Sequence, residues 1–156
     1  GYAGDPLAYL KMNYDKTRRR LFIFGEVYGT RLSNQKAVKQ IKAINPLNKL
    51  VTADSAEPRT INEFKLLGLN ITGAKKGPDS VENGIKWLQS IIIDPIRCPN
   101  AAREFNDYEI EKDKEGNLKG EFPDKNNHTI DAARYGCEQD IIRSKGRARK
   151  DRNKYE

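Results

Sequence analysis

Cysteine is scarce in this sequence. Cys98 and Cys137 are the only two, they stand far apart, and neither sits in a metal-ligand spacing. That excludes a disulfide framework and a zinc site, and it makes a reduced, intracellular compartment the simple reading. Apolar runs are short. None approaches the roughly 20 residues that cross a bilayer, and no signal peptide opens the chain. Internal repeats and long linkers are missing. A working phosphate-binding loop is missing too. Gly68 to Lys75 echoes one, but Ala74 stands where the lysine belongs and no Ser or Thr follows Lys75, so a nucleoside-triphosphatase site is excluded. Tyr28 and Trp87 do not interleave with basic residues, as a base-stacking surface would require.

What is present is charge. Asp, Glu, Lys and Arg make up 33% of the 156 residues against 37% hydrophobic residues, so one domain with a modest core and a solvated surface is expected. The net charge of +7 favours an anionic partner, with nucleic acid first and an anionic membrane second. The excess is local. From Arg143 onward there are seven Lys or Arg and two acidic residues, which is +5 of the +7. Such a tail reads equally as a solvated, disordered end or as an arm that touches DNA.

Leu7 to Tyr14 and Arg20 to Tyr28, joined by a turn-like stretch, predict an antiparallel hairpin. Ser33 caps a helix running to about Ile44, with Ala37, Val38, Ile41 and Ile44 at helical spacing. Leu50 to Asp54 predicts a strand, and Thr60 caps a helix that Gly68 closes. Leu69 to Ala74 and Ile91 to Ile93 predict further strands. Further helices are expected from Ser80, from Asn100, and from Asn127 or Thr129 to about Arg143, with an exposed hairpin over Glu109 to Phe122. Alternating strands and helices after an opening hairpin imply an α/β fold, with a mixed sheet that is antiparallel at the start, parallel later and flanked by helices.

Ligands of open α/β sheets gather at the carboxyl ends of the strands, which draws attention to Asp54. Alone, Asp54 reads better as a cap for the turn that follows. His128 and Asp131 are three apart, on one side of a helix's first turn, beside a stripe of Ile130, Ala133, Cys137 and Ile141. Alone, Asp131 reads as an acidic residue complementing a helix dipole, and His128 as a structural histidine. Together, two hard carboxylates from different elements suit Mg²⁺ or Mn²⁺, the ions that hydrolyse phosphodiesters, often as a pair. A pair needs at least three anionic ligands, and these residues supply two. Lys75 and Lys76 join a strand to a helix and can meet a phosphate, although a plain basic loop fits them as well. Arg18-Arg19-Arg20 reads as an exposed basic corner.

Six stretches in order resemble one family. They are Gly1-Tyr2-Ala3-Gly4-Asp5-Pro6 with Ala8, Glu26-Val27-Tyr28, Ala53 to Pro58, Lys76 to Val81 with Gly84-Ile85, Glu104-Phe105 with Tyr108, and Asn127 to Tyr135. The chain resembles the C-terminal nuclease domain of the large terminase subunit of tailed bacteriophages and prophages. That resemblance implies a ribonuclease-H-like fold and a two-metal (Mg²⁺ or Mn²⁺) endonuclease that cuts concatemeric double-stranded viral DNA during packaging. It implies Asp54 and Asp131 as metal ligands and His128 as their neighbour. It also implies a packaging ATPase domain N-terminal on the same polypeptide, a small terminase subunit and a portal as partners, and the bacterial host cytoplasm. The family's first metal-binding Asp lies just before the pair matched by Gly1-Tyr2, so a third ligand is expected upstream of Gly1. Asp5 is not promoted to that role, and Glu26 is read as structural. A nuclease domain over residues 1–142 and a basic, disordered tail over 143–156 are expected. This fragment alone is expected to cut weakly or not at all. Another ribonuclease-H-like nuclease, of resolvase or transposase type, and a non-catalytic DNA-binding or motor-docking module are the competing readings.

Overall fold

The computed structural model describes residues 4–75, 90–107 and 127–138. The hairpin forms as expected, with β1 (Leu7–Asp15) antiparallel to β2 (Arg20–Gly29). Asp15 Oδ1 accepts the N–H groups of Thr17 and Arg18, which shapes the turn between the strands. Arg19 completes that turn in the left-handed region at φ 52°. Helix α1 (Asn34–Ile44) follows, its first turn capped by Ser33 Oγ at 3.2 Å from Lys36 N. Next come β3 (Val51–Ala53), α2 (Pro58–Leu66), β4 (Ile71–Gly73), β5 (Ser90–Ile93) and α3 (Pro99–Asp107). Residues 128–138 form a last described helix, α4.

Two helix starts differ from expectation. Helix α2 begins at Pro58 rather than at a Thr60 cap, because proline's fixed φ and missing N–H suit the first helical position. The Thr60 hydroxyl instead donates to Glu57 Oε2 at 3.1 Å. Pro99 likewise opens α3 one residue before Asn100. Gly68 ends α2 as expected. At φ +91° its N–H donates to Lys65 O, and the N–H of Leu69 donates to Phe64 O, which is the glycine-closed pattern of helix ends. The helix expected from Ser80, the hairpin over 109–122 and the tail lie outside the described residues.

The strands fall into two sheets among the described residues. One has the order β1-β2-β5, with β2 and β5 parallel, and the other pairs β3 with β4 in parallel. Two apolar clusters lie against them. The first joins Leu10, Leu21 and Ile23 of the hairpin to Cys98, Ala101, Ala133 and Cys137 beside and on α3 and α4. The second joins Val27 to Ala37, Val38 and Ile41 of α1, to Ile61 and Phe64 of α2, and to Leu69 and Ile71.

One irregularity decides which β2 side chains join which cluster. The β1–β2 register slips between Lys11 and Met12, so that Lys11 faces Gly25, Met12 faces Ile23, and Phe24 is left over. An extra residue inverts the alternation of a strand. Leu21 and Ile23 therefore face α3 and α4, whereas Val27, of the same parity, joins the α1–α2 cluster. Glu26 is thereby turned towards α3.

Candidate metal centre

A cleft of about 1160 Å³ runs between the two sheets, lined by β1, β3, α2 and α4. Among the described residues, strand β1 is an edge of its sheet and β3 an edge of the other, and both border this cleft. Asp54, His128 and Asp131 all line it, so the structure brings together the three residues chosen from sequence. Asp5 and Glu57 line it as well.

Asp54 stands one residue beyond β3, where the strand's carboxyl end opens into the cleft. Its local role is also real, since Oδ1 accepts the Ala56 N–H at 3.0 Å. The ordinary and the chemical readings of Asp54 are therefore compatible. Asp94 performs the same turn after β5, accepting from Ile96 and Arg97, and Asp15 does so after β1. Neither borders the cleft. What separates Asp54 from these two is that its strand end opens on the cleft that α4 also lines.

Asp131 lies in the first turn of α4, half-buried, with Ile130 wholly buried beneath it. Arg134, one turn on, pairs with its Oδ1 at 2.9 Å. Burial pushes the Asp131 carboxyl above the ordinary range, Arg134 and His128 pull it back, and the charge of Asp54 pushes it up again. Asp54 and Asp131, distant in sequence and on separate elements, are thus close enough to feel each other's charge. Two such carboxylates beside an imidazole offer hard oxygen donors of the kind that hold divalent cations. Among the described residues, no group of three or more His, Cys, Asp or Glu side chains is placed to hold a metal ion.

The other candidates fall elsewhere. Lys75 is exposed just past β4 and does not line the cleft, and Lys76 lies outside the described residues. Glu26 is structural: its carboxylate accepts from Asn100 N, Asn100 Nδ2 and Ala101 N at 2.9–3.0 Å, closing the start of α3. Glu57, missed from sequence as a cleft residue, sits where the chain turns from Asp54 into α2. Its only sequence signal was that adjacency. No helix among the described residues is long and apolar enough to cross a membrane.

Comparison with known proteins identifies the family and the fold. A family model described as the terminase RNase H-like domain matches residues 1–139. The large terminase subunit of Bacillus phage SPP1 is 43% identical across 90% of this chain and 35% of its own length. The PBSX phage terminase large subunit of Bacillus subtilis (strain 168) is 27% identical across 88% of this chain and 32% of its own length. The chain thus spans about a third of the length of these relatives. Among solved structures, the nuclease domain of the SPP1 large terminase, crystallised with bound Mn, superimposes with a TM-score of 0.76 at 42% identity. That match covers 90% of this chain and 82% of that one.

Proposed function

The chain belongs to the terminase RNase H-like domain family, and from that premise we propose that it is the DNA-cutting part of a large terminase. Its substrate is concatemeric double-stranded viral DNA, cut during genome packaging in the cytoplasm of a bacterial host. One observation carries the reading. Asp54 and Asp131, brought from separate elements, line one cleft together with His128. The Mn bound in the solved SPP1 nuclease domain supports a divalent ion for this chain as well.

In this reading Asp54 and Asp131 are the metal ligands, and His128 stands beside them to orient the attacking water. Bound there, Mg²⁺ or Mn²⁺, as a pair of ions, would supply an activated water and stabilise the leaving oxygen of the phosphodiester. The protein's part is positional. The turn after β3 fixes Asp54 through the Ala56 N–H, and the first turn of α4 presents Asp131 and His128 to the same space. Arg134 balances the Asp131 charge until a cation arrives.

A pair of ions needs a third anionic group. We place it on a segment upstream of Gly1 that enters the cleft between the β1 and β3 edges. The two strand edges bordering one cleft among the described residues support this. Lys75 and Lys76 are assigned to the DNA backbone, and the basic residues of 143–156 to DNA contact as well. A packaging ATPase domain on the same polypeptide, a small terminase subunit and a portal are the proposed partners.

Cleavage of linear duplex, supercoiled plasmid and four-way junction DNA with Mn²⁺ or Mg²⁺ tests the proposal. The expected result is metal-dependent cutting of plain duplex by the chain extended upstream, lost in Asp54→Asn and Asp131→Asn. Strong preference for junctions, or cutting that survives both substitutions, would overturn it.

A further inference from the structure

Glu26 and Glu104 belong to stretches that stood out in the sequence, yet neither lines the cleft. Each closes the N-terminus of an element to which it does not belong. The first N–H groups of a helix lack partners within it and must find acceptors elsewhere. On α3, the N–H groups of Asn100 and Ala101 find Glu26, which comes from β2. On α4, the N–H of Thr129 finds Glu104 Oε1 at 2.9 Å, and the Thr129 hydroxyl donates to the same oxygen at 3.0 Å. Glu104 comes from α3. The two carboxylates therefore form a relay that ties β2 to α3 and α3 to the helix bearing His128 and Asp131.

The second joint is expensive. Glu104 is 1% exposed and Thr129 wholly buried, and Glu104 Oε2 has no hydrogen-bond partner among the described residues. A buried carboxylate with an oxygen left over costs free energy that a local Ser or Asp cap would not. A local cap, however, cannot fix a helix relative to its neighbours, and a carboxylate reaching across from α3 does. Around this joint, Arg103 lies over the Tyr28 ring at 5.9 Å, adding a second tie between α3 and β2. The other end of α4 is pressed on β1, since a Cβ at Gly136 would collide with Met12 Cε. The register slip at Phe24 is what turns Glu26 towards α3 at all.

We propose that Glu104 is a positioning residue of the metal centre, holding the first turn of α4 so that His128 and Asp131 stay opposite Asp54. The inference rests on the function proposed above. It acts through the backbone at Thr129, two residues from Asp131 and adjacent to His128.

His128 is the one histidine of the 156-residue chain, so its imidazole gives a single, assignable proton resonance. The Asp131 N–H donates to Asn127 O at 2.8 Å, an early backbone bond of the helix, so its hydrogen exchange reports local opening of that turn. In wild type, Mn²⁺ is expected to broaden the His128 resonance selectively. Glu104→Ala is expected to shift that resonance in the metal-free chain and to speed exchange at Asp131 while leaving exchange at Ile23 unchanged. It is also expected to raise the Mn²⁺ concentration for half-broadening by about 10–100-fold, as loss of a supporting group around a metal ligand does. Glu104→Gln keeps a carbonyl oxygen for Thr129 and should return all three readouts close to wild type.

The proposal is overturned if Glu104→Ala keeps the wild-type resonance, Asp131 exchange and Mn²⁺ response. It is also overturned if Asp131 and Ile23 exchange faster in step, which marks global destabilisation alone. Should Glu104→Ala fail to fold, Thr129→Val takes its place. That variant keeps the shape and removes one donor, and smaller changes of the same sign are required of it. Absence of any Mn²⁺ effect on His128 in wild type counts against the proposed function. The resonance and exchange readouts would still decide the positioning role.

Discussion

Asp131→Asn separates a metal ligand from a structural carboxylate by its effect on stability with and without metal. In the metal-free chain the wild-type carboxylate is not a net stabiliser. Burial raises its pKa, the pair with Arg134 and the charge of His128 only partly offset this, and Asp54 adds to the rise. The Arg134 side chain is 15% exposed and that of Asp131 39%, so their ion pair is only partly screened and offsets part of the burial cost. The sign follows from linkage. A carboxyl whose folded pKa is raised penalises folding when ionised. That penalty is fully present above the raised value and vanishes as the pH falls below the ordinary unfolded value. At pH 7 the Asn variant should therefore match or slightly exceed wild type in metal-free melting temperature, and its advantage should disappear at acid pH. With metal the order reverses. An ion at a hundredfold above its Kd stabilises by about 2.7 kcal/mol, or roughly 5–10 °C of melting temperature for a domain of this size. Wild type should show this Mn²⁺-dependent rise, and Asp131→Asn should show almost none. Differential scanning fluorimetry at pH 7 and at acid pH, with and without Mn²⁺, measures all four values. An Asn variant that melts several degrees below wild type without metal, or that keeps the full rise with Mn²⁺, would refute the assignment.

Further outcomes follow from the same contacts. Glu26→Ala strips three hydrogen bonds from the start of α3, so urea unfolding should show a loss of about 2–3 kcal/mol, with Glu26→Gln intermediate. An unchanged midpoint would mean that water replaces the carboxylate without cost. Gly68→Ala places a Cβ at φ +91° at the end of α2, 2.8 Å from Lys42 Nζ, and should cost about 1 kcal/mol by the same assay. The Cys98 thiol is wholly buried and pushed up to about 11 by burial and by the charges of Glu26 and Asp94, so at pH 8 it should resist a thiol reagent until the chain unfolds. Rapid modification of Cys98 in the native state would show that the first apolar cluster opens locally.

Much of the architecture was legible in the residues themselves. Runs rich in apolar and aromatic residues on either side of a turn-like stretch marked the hairpin, Ser33 marked α1, Gly68 marked the end of α2, and the apolar stripe through Ile130 and Ala133 marked α4. These are local signals, set by side-chain spacing and backbone preference, and tertiary contacts rarely override them over such lengths. The starts of α2 and α3 were misjudged by one to three residues, because proline competes with side-chain caps for the same role. Asp54 and Asp131 could be nominated from strand end and helix turn, but Asp15 and Asp94 carry similar local signatures and do not reach the cleft. Nothing local distinguishes them, since the difference lies in which sheet edge faces which helix.

Glu26 shows the divide most clearly. The alternation of Leu21, Ile23, Gly25 and Val27 implies one continuous buried face, with Glu26 on the other. A register slip of one residue at Phe24 reverses that alternation halfway along β2 and sends Glu26 to the N-terminus of α3. From there Glu104 carries the connection to the helix of the metal centre. The sequence by itself determined the elements and the acidic residues available. Only the tertiary structure decided which carboxylates meet a cleft and which hold helices in place. Strand register and helix packing are long-range properties, and a shift of one position changes the side on which a charge emerges.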